Sequence, residues 1–489
     1  MPYLLRNPSE QRRRAFKHHV FALTLAPSLI FCVLCTAKSN DTMNGATVAA
    51  ATTTQLNNPK TVRAWYMYDW ANSVYTLVIT TAIFPIYYKA NAVTADGSDH
   101  IPFLGITIQN SVLYSYALSL SFLVVAALLP LLSGAADYTG NKKVFMKAFV
   151  WLGSLSCMGL WFFTSLDTVG WAIFCSITAS IGYSGSLVFY DAFLPEIVTP
   201  DRYDATSARG YSMGYYGSVI LMVLCTVLIL NFQTFGFPTE GVAVRFSFLL
   251  TGFWWLGFAI IPFRLLPDNP YNQKPSGNIW TQGYLEIRKV WRTLPAFPDM
   301  RRYLAAFFFY NMGVQTVMYL ASLFGTDVLN LPSGDLIQIV VIIQIVGALG
   351  AGLFARISKT RGNRETLMVM IVLWIGVCIG AYFIQTKNQF YVLAFVVGLI
   401  MGGIQSLSRA TFSKLIPEDT IDHTSYFSFY DVAYNLSIVI GTFTYGFIDH
   451  ITGSMRYSAL ALAVFFIIGF CLLFAVKAPA IRRPAKKTF

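Results

Sequence analysis

Twelve runs of mostly apolar residues, each close to the ~20 that an α-helix needs to cross the hydrocarbon of a bilayer, recur along this 489-residue chain. They cover 65–88, 112–132, 144–166, 169–194, 211–230 and 246–266, then 303–323, 336–357, 367–384, 390–412, 425–448 and 457–476. A soluble fold could not hide that much apolar surface. Only 12% of the residues are charged and 55% are hydrophobic, against roughly 25% charged in ordinary soluble domains. Lipid admits backbone only as helices or closed barrels, and these runs far exceed the ~10 alternating residues of a barrel strand. The expected fold is all-α: a polytopic membrane protein of twelve transmembrane helices in two pseudo-symmetric six-helix bundles.

Charge then sets the orientation. With the N-terminus inside, the outer segments hold only Lys89, Arg245, Lys387 and Arg456 of the 35 lysines and arginines, so both termini are expected to be cytoplasmic, most simply in the cell (inner) membrane. The same dispersal accounts for the net charge of +12 without nucleic acid, which would require one contiguous basic face. The seven cysteines lie in apolar stretches and read as small buried hydrophobes. Only Cys32 and Cys35 are spaced C-x-x-C, with no second pair to make a redox or zinc site. The five histidines sit in the leader or in loops near span ends, and no metal site or cofactor is expected.

The first sixty residues stand apart. Arg12, Arg13, Arg14 and Lys17 precede an apolar run from 20 to 37, and three readings fit it: a signal peptide cut after Ala37, a thirteenth helix, or an untranslated leader with the start at Met43. We favour the third, because the other two would reverse the charge bias just counted.

Two landmarks recur at one offset. Gly140, Asn141 and Lys142 return 222 residues later as Gly362, Asn363 and Arg364. Leu194, Pro195 and Glu196 return at the same offset as Ile416, Pro417 and Glu418. The chain is therefore a duplicated six-helix unit, with both copies in the same orientation. The expected domains are a leader and linker (1–64), a first bundle (65–266), a cytoplasmic linker rich in proline and basic residues (267–301), a second bundle (302–477) and a basic cytoplasmic tail (478–489). Such parallel repeats rock against each other around a site at their interface. No segment resembles the re-entrant filter loop of a channel, and no nucleotide-binding motif is present to drive a pump.

At this point a family resemblance enters. The loop 133–143 (SGAADYTGNKK) resembles the G-x-x-x-D-R-x-G-R-K/R signature of the major facilitator superfamily, matching at Asp137, Gly140, Lys142 and Lys143 and departing at Ser133, Tyr138 and Asn141. The second copy is more worn, with Lys359 where the aspartate would stand. Three further stretches, 65–73 (WYMYDWANS), 189–196 (FYDAFLPE) and 402–409 (GGIQSLSR), are similar to the vacuole-effluxer-like branch, whose named members export amino acids. The resemblance covers roughly 63–476. It implies a twelve-helix transporter whose first and seventh spans line the cavity.

Ionisable residues inside spans are costly, by about 2.5–3.5 kcal/mol or more at the bilayer centre, and so are functional candidates by default. Here they are Asp69, Asp191, Arg409 and Asp431, with Arg209 at a span mouth. All fall toward the cytoplasmic ends; Asp431 is only about 9 Å into its span at 1.5 Å per residue. We read Asp137, Gly140, Lys142, Lys143, Asp191, Arg209, Arg409 and Asp431 as the signature loop and ion pairs of an inner gate. The 222-residue offset sets Arg209 and Asp431 at equivalent places in the two halves. A buried carboxyl can exchange a proton near neutrality, and Asp69 is the candidate for proton coupling. Nearer mid-span the polar residues are uncharged: Asn72, Thr76, Asn311, Gln315, Gln344 and Asn435. Asn311 and Gln315 share a helix face. These six are the candidate substrate cavity, suited to a polar or zwitterionic solute.

The expected function is secondary active transport of a small polar solute, an amino acid being one such, by alternating access, with a proton or another ion as coupling partner. The expected surroundings are lipid, no nucleic acid and a monomeric state. The competing reading is a non-transporting receptor or interaction protein that kept the fold.

Overall fold

The structure, a computed structural model, describes residues 55–269, 277–417 and 419–477. The three leader readings with Cys32 and Cys35, Glu418 of the second landmark and the basic tail 478–489 lie outside the described residues.

Twelve long helical segments follow one another among the described residues. The first is compound: α1 (Pro59–Val74), a π-helical stretch (Tyr75–Ala82) and α2 (Ile83–Asn91). Asn58 caps α1 by accepting from the Lys60 amide, and Pro59 starts it where no amide partner is lost. A short hairpin, β1 (His100–Phe103) and β2 (Ile106–Gln109), pairs His100 with Gln109 and turns at Leu104 and Gly105, both at positive φ. Outside the bilayer-length helices, Asp99 is held below the usual carboxylate range by hydrogen bonds from Gln109 and His100. Nothing in the apolar pattern announced this hairpin. The first half continues with α3 (Asn110–Thr139), α4 (Lys142–Gly159), α5 (Val169–Asp191), the short α6 (Leu194–Ile197), α7 (Tyr203–Leu230) and α8 (Glu240–Leu265).

The segment between the halves is not plain coil. It contains α9 (Ile279–Thr293), capped by Asn278, which accepts from the amides of Trp280 and Thr281. The second half is α10 (Pro298–Leu329), α11 (Ser333–Arg361), α12 (Asn363–Phe383), α13 (Lys387–Leu415), α14 (His423–Thr452) and α15 (Met455–Phe474). The 222-residue offset holds at two helix ends: Thr139, the last residue of α3, maps onto Arg361, the last of α11, and Leu230, the last of α7, maps onto Thr452, the last of α14.

Among the described residues, nine of the segments are long and apolar enough to cross a membrane by length and composition alone. The compound first helix, α10 and α14 carry Asp69, Asn72, Asn311, Gln315, Asp431 and Asn435. The protein is an integral, multi-pass membrane protein.

The most extensive contacts between the halves are two that are copies of one another. α3 packs on α14, and α7 packs on α11; the offset maps α3 onto α11 and α7 onto α14. We call the end of the bundle that holds α9 the linker face, and the end that holds the hairpin the hairpin face. At the linker face α9 lies against α3 with Gly283 directly on Gly134, where a Cβ would sit 2.1 Å from the Gly283 carbonyl oxygen. α9 reaches the other half through Lys289, 2.7 Å from Asp422, and through Trp291, whose ring lies 5.6 Å from that of Phe429.

Candidate functional site

Arg409 comes from α13 near the linker face and is 1% exposed. Everything that holds its guanidinium belongs to the first half. Its Nη1 donates to Asp191 Oδ1 at 3.0 Å, its Nη2 to Asp69 Oδ2 at 3.2 Å and to the Ser207 carbonyl at 3.1 Å, and its Nε to Ser207 Oγ at 2.9 Å. Three aromatic rings close over the planar group: Tyr211 at 4.3 Å, Trp65 at 4.7 Å and Tyr190 at 5.4 Å. Trp65 stacks on Tyr190 with ring centres 4.6 Å apart, and the Tyr190 hydroxyl donates to Asp69 at 2.6 Å. Ser207 returns a bond to the other half, donating from Oγ to the Ser406 carbonyl at 2.8 Å.

The approach depends on Gly210. A Cβ there would lie 2.2 Å from Asp69 Oδ2 and 2.9 Å from Arg409 Nη2. One missing methyl group is what lets α7, α1 and α13 meet.

A second bridge rests on Asp137 at the end of α3. Its carboxylate accepts the backbone amides of Thr424 at 3.1 Å and Ser425 at 2.6 Å. These are orphan donors of the first turn of α14, and no side chain of α14's own N-cap meets them. An acid of one half thus caps a helix of the other, where the helix dipole favours negative charge. Gly140, at φ 68°, ends α3 and turns the chain into α4. Lys142 pairs with Glu196 at 2.5 Å within the first half, and Lys143 with Asp268, just past the end of α8, at 2.8 Å. They brace one bundle rather than joining two.

A third bridge carried no signal in the sequence. Asp204 at the start of α7 takes Lys414 at 2.7 Å, the Asn363 amide nitrogen at 2.8 Å and the Ser358 hydroxyl at 3.1 Å. It is the rough mirror of the Asp137 contact: Ser358 closes α11 as Asp137 closes α3. Tyr215 adds a bond to Gln405 at 2.6 Å, and Ser212 one to the Ala348 carbonyl at 2.8 Å.

The remaining candidates separate. Arg209 is exposed, and among the described residues no ion pair involves it. Asp431 is buried and its Oδ2 has no hydrogen-bond partner. Asn311 donates to Ser437 Oγ at 2.6 Å and accepts from Gln315 at 3.2 Å, so this pair ties α10 to α14. Thr76 donates to the Ser73 carbonyl on its own helix. Asn72 Nδ2, Gln344 Oε1 and Asn435 Oδ1 are buried without a partner. Gln344 lines a small cavity between the halves, with Leu77 and Thr81 from the π-helical stretch and Val317 and Met318 from α10. A π-helical turn widens a helix and is frequent at functional sites.

With this geometry described, relatives give it a context. The chain matches the family described as vacuole effluxer Atg22 like over residues 57–206 and 200–486. It belongs to that family. An uncharacterized MFS-type transporter of Bacillus subtilis, YxiO, is 32% identical and aligned over 85% of this chain and 94% of its own length. Autophagy-related protein 22-1 of Aspergillus niger is 24% identical, over 88% and 90%. Among solved structures, the human organic anion transporter MFSD10 (TETRAN) superposes with a TM-score of 0.65 at 13% identity, covering 86% of this chain and all of that one. A bacterial homologue of the iron transporter ferroportin, in an outward-facing state, does so at 0.59 over 85% and 98%. This member of the Atg22-like family therefore has the major facilitator fold and is a membrane transporter, not an enzyme. Its three Atg22-like stretches, far apart in the chain, supply Asp69, Asp191 and Arg409, the three charges of the central bridge.

Proposed function

We propose that this protein is a secondary transporter of a small polar solute, working by alternating access, and that the bridges around Arg409, Asp137 and Asp204 are its gate on the cytoplasmic face. The observation that carries the reading is the holding of one buried guanidinium of the second half by two carboxylates of the first. A buried ion cluster is a poor way to stabilise a fold, because desolvation offsets most of the Coulomb gain. It is a good switch. When the linker face parts, the three charges regain water, so the closed and open states can lie within a few kcal/mol of each other.

The placement of the linker face in the cytoplasm follows from the positive-inside count, and the choice of a polar, uncharged or zwitterionic solute follows from the amides of Asn72, Gln344 and Asn435. A proton on Asp69 would cancel its pairing with Arg409, so proton uptake there and opening of this face are coupled. An amino acid fits these features, and outward movement fits the family's description as a vacuole effluxer.

The experiment is labelling of a single engineered cysteine, Ser406→Cys, with native cysteines removed. Ser406 is fully buried between the halves, and its hydroxyl bonds only within its own helix. The parent is expected to resist a membrane-impermeant reagent at rest and to become labelled during turnover, and Arg409→Ala to be labelled at rest. A cysteine protected in both proteins under all conditions overturns the gate. Flux of a labelled solute in proteoliposomes, with and without a pH gradient, tests transport itself, and a receptor that kept the fold would show none.

A further inference from the structure

Two buried carboxylates share one buried guanidinium, and a third buried carboxylate nearby has no such partner. Asp69 and Asp191 share Arg409. The third, Asp431 on α14, is 4% exposed and lies within electrostatic range of Asp191. Among the described residues no cation pairs with it and nothing donates to its Oδ2. One turn further along the same face, Asn435 is 1% exposed; it gives its Nδ2 to the Asp431 carbonyl at 2.7 Å and leaves its Oδ1 without a partner. Two buried acceptors, one of them an acid, thus stand side by side with no donor to satisfy either. Leaving such groups unmet is expensive, and the pocket is short of both hydrogen-bond donors and positive charge.

Aromatic rings complete the surroundings. Tyr211 and Tyr434 lie within electrostatic range of Asp431. Both are half-buried. Their π-faces attract cations. They offer nothing to an anion beyond a hydroxyl, and the buried cation of this region, Arg409, is already bonded at Nε, Nη1 and Nη2.

We propose that Asp431 and Asn435 form the recognition site for a positively charged nitrogen of the transported solute, a primary ammonium or a guanidinium, with Asp431 as its counter-ion. This rests on the transport reading above and narrows it: the cationic end of the solute is read here, and a carboxylate on the same solute is not. An arriving ammonium supplies the three donors and the charge that the two side chains lack.

The test uses the full-length protein in lipid nanodiscs. Binding is measured for a panel of amino acids, the matching amino alcohols, which keep the amine and lack the carboxylate, and the matching hydroxy acids, which do the reverse. Amino acids and amino alcohols are expected to bind and hydroxy acids to fail. Asp431→Asn should weaken the amine-bearing probes by roughly thirtyfold or more, the usual result of removing one partner of a buried charge pair, and Asp431→Glu should recover part of the loss. Monodispersity of Asp431→Asn and retained state-dependent labelling at Ser406→Cys exclude misfolding. Hydroxy acids binding as tightly as amino alcohols, or Asp431→Asn binding amines like the parent, overturns the proposal. So does a variant that loses its response to a pH gradient but keeps its preference for amines, since Asp431 would then carry a proton. Failure of every amine to bind while labelling still alternates removes this inference and leaves transport standing; labelling that never alternates in the parent removes both.

Discussion

At the residue scale the central bridge depends on shape as much as on charge. Arg409 uses a flat fork to reach two acids and a serine while three rings cover its faces, a task that a lysine ammonium cannot perform. Arg409→Lys is therefore expected to lower transport at least tenfold in a flux assay despite keeping the charge. Arg409→Ala should act more strongly on the closed state, since opening a buried pair costs about 3–5 kcal/mol. Gly210→Ala makes the same point without touching a charge: its methyl would collide with Asp69 and Arg409. It should expose Ser406→Cys at rest, whereas Gly446→Ala, with open space at its Cβ, should leave labelling unchanged. The sequence marked Asp69, Asp191 and Arg409 because charges inside apolar runs are rare. It could not show that they meet, because 340 residues separate Asp69 from Arg409. Ser207 and Tyr211 carried no signal, being ordinary polar residues near the start of a helix. Asp204 sat beside Asp201 and Arg202 in what read as a solvated loop.

At the element scale one helix has its first turn completed by the opposite half. The first turn of α14 has its amides met by Asp137 of α3, so Asp137→Asn removes charge from a dipole contact worth about 0.3–2 kcal/mol. Faster hydrogen exchange at Thr424 and Ser425 is the expected readout, with the rest of α14 unaffected. The strap α9 is held by a side-chain-free contact at Gly283 and by Lys289. Partial burial works against the Lys289 charge, and hydrogen bonds to Asp422 and Glu286 outweigh it and hold the ammonium above its ordinary value. A raised lysine value means that this contribution is fully present below about pH 10.4 and is lost only as the pH rises through the raised one. For so exposed a pair it amounts to under about 1 kcal/mol. Gly283→Leu, by contrast, would drive a side chain into the Ala135 backbone and should release α9, seen as rapid exchange along 279–293. The linker's polarity was legible in the sequence; its helix was not, because a period confined to fifteen residues is overshadowed by the proline-rich flank.

At the scale of the whole molecule the duplication was the most readable property, since helix ends and landmark loops keep one offset. The interface between the copies was less so: apolar periodicity says which face of a helix avoids water, but lipid and protein are alike to it. That is why α3–α14 and α7–α11 had to be found in the structure. Orientation can be checked directly. Leu104→Cys on the hairpin and Trp291→Cys on the strap, both at exposed positions, should be labelled from opposite sides of the membrane, the hairpin from outside. The seating of Gly283 on Gly134 has one more consequence. With no side chains between them, α9 and α3 touch backbone to backbone, so on the alternating-access reading α9 is expected to move with the first bundle. Its grip on the second bundle, through Lys289 to Asp422, Thr293 to Tyr426 and Trp291 against Phe429, is then the part expected to let go. The pivot of the molecule then falls at the tight turn Leu294–Ala296, and spin labels on α9 should keep a constant distance to α3 and a bimodal one to α14.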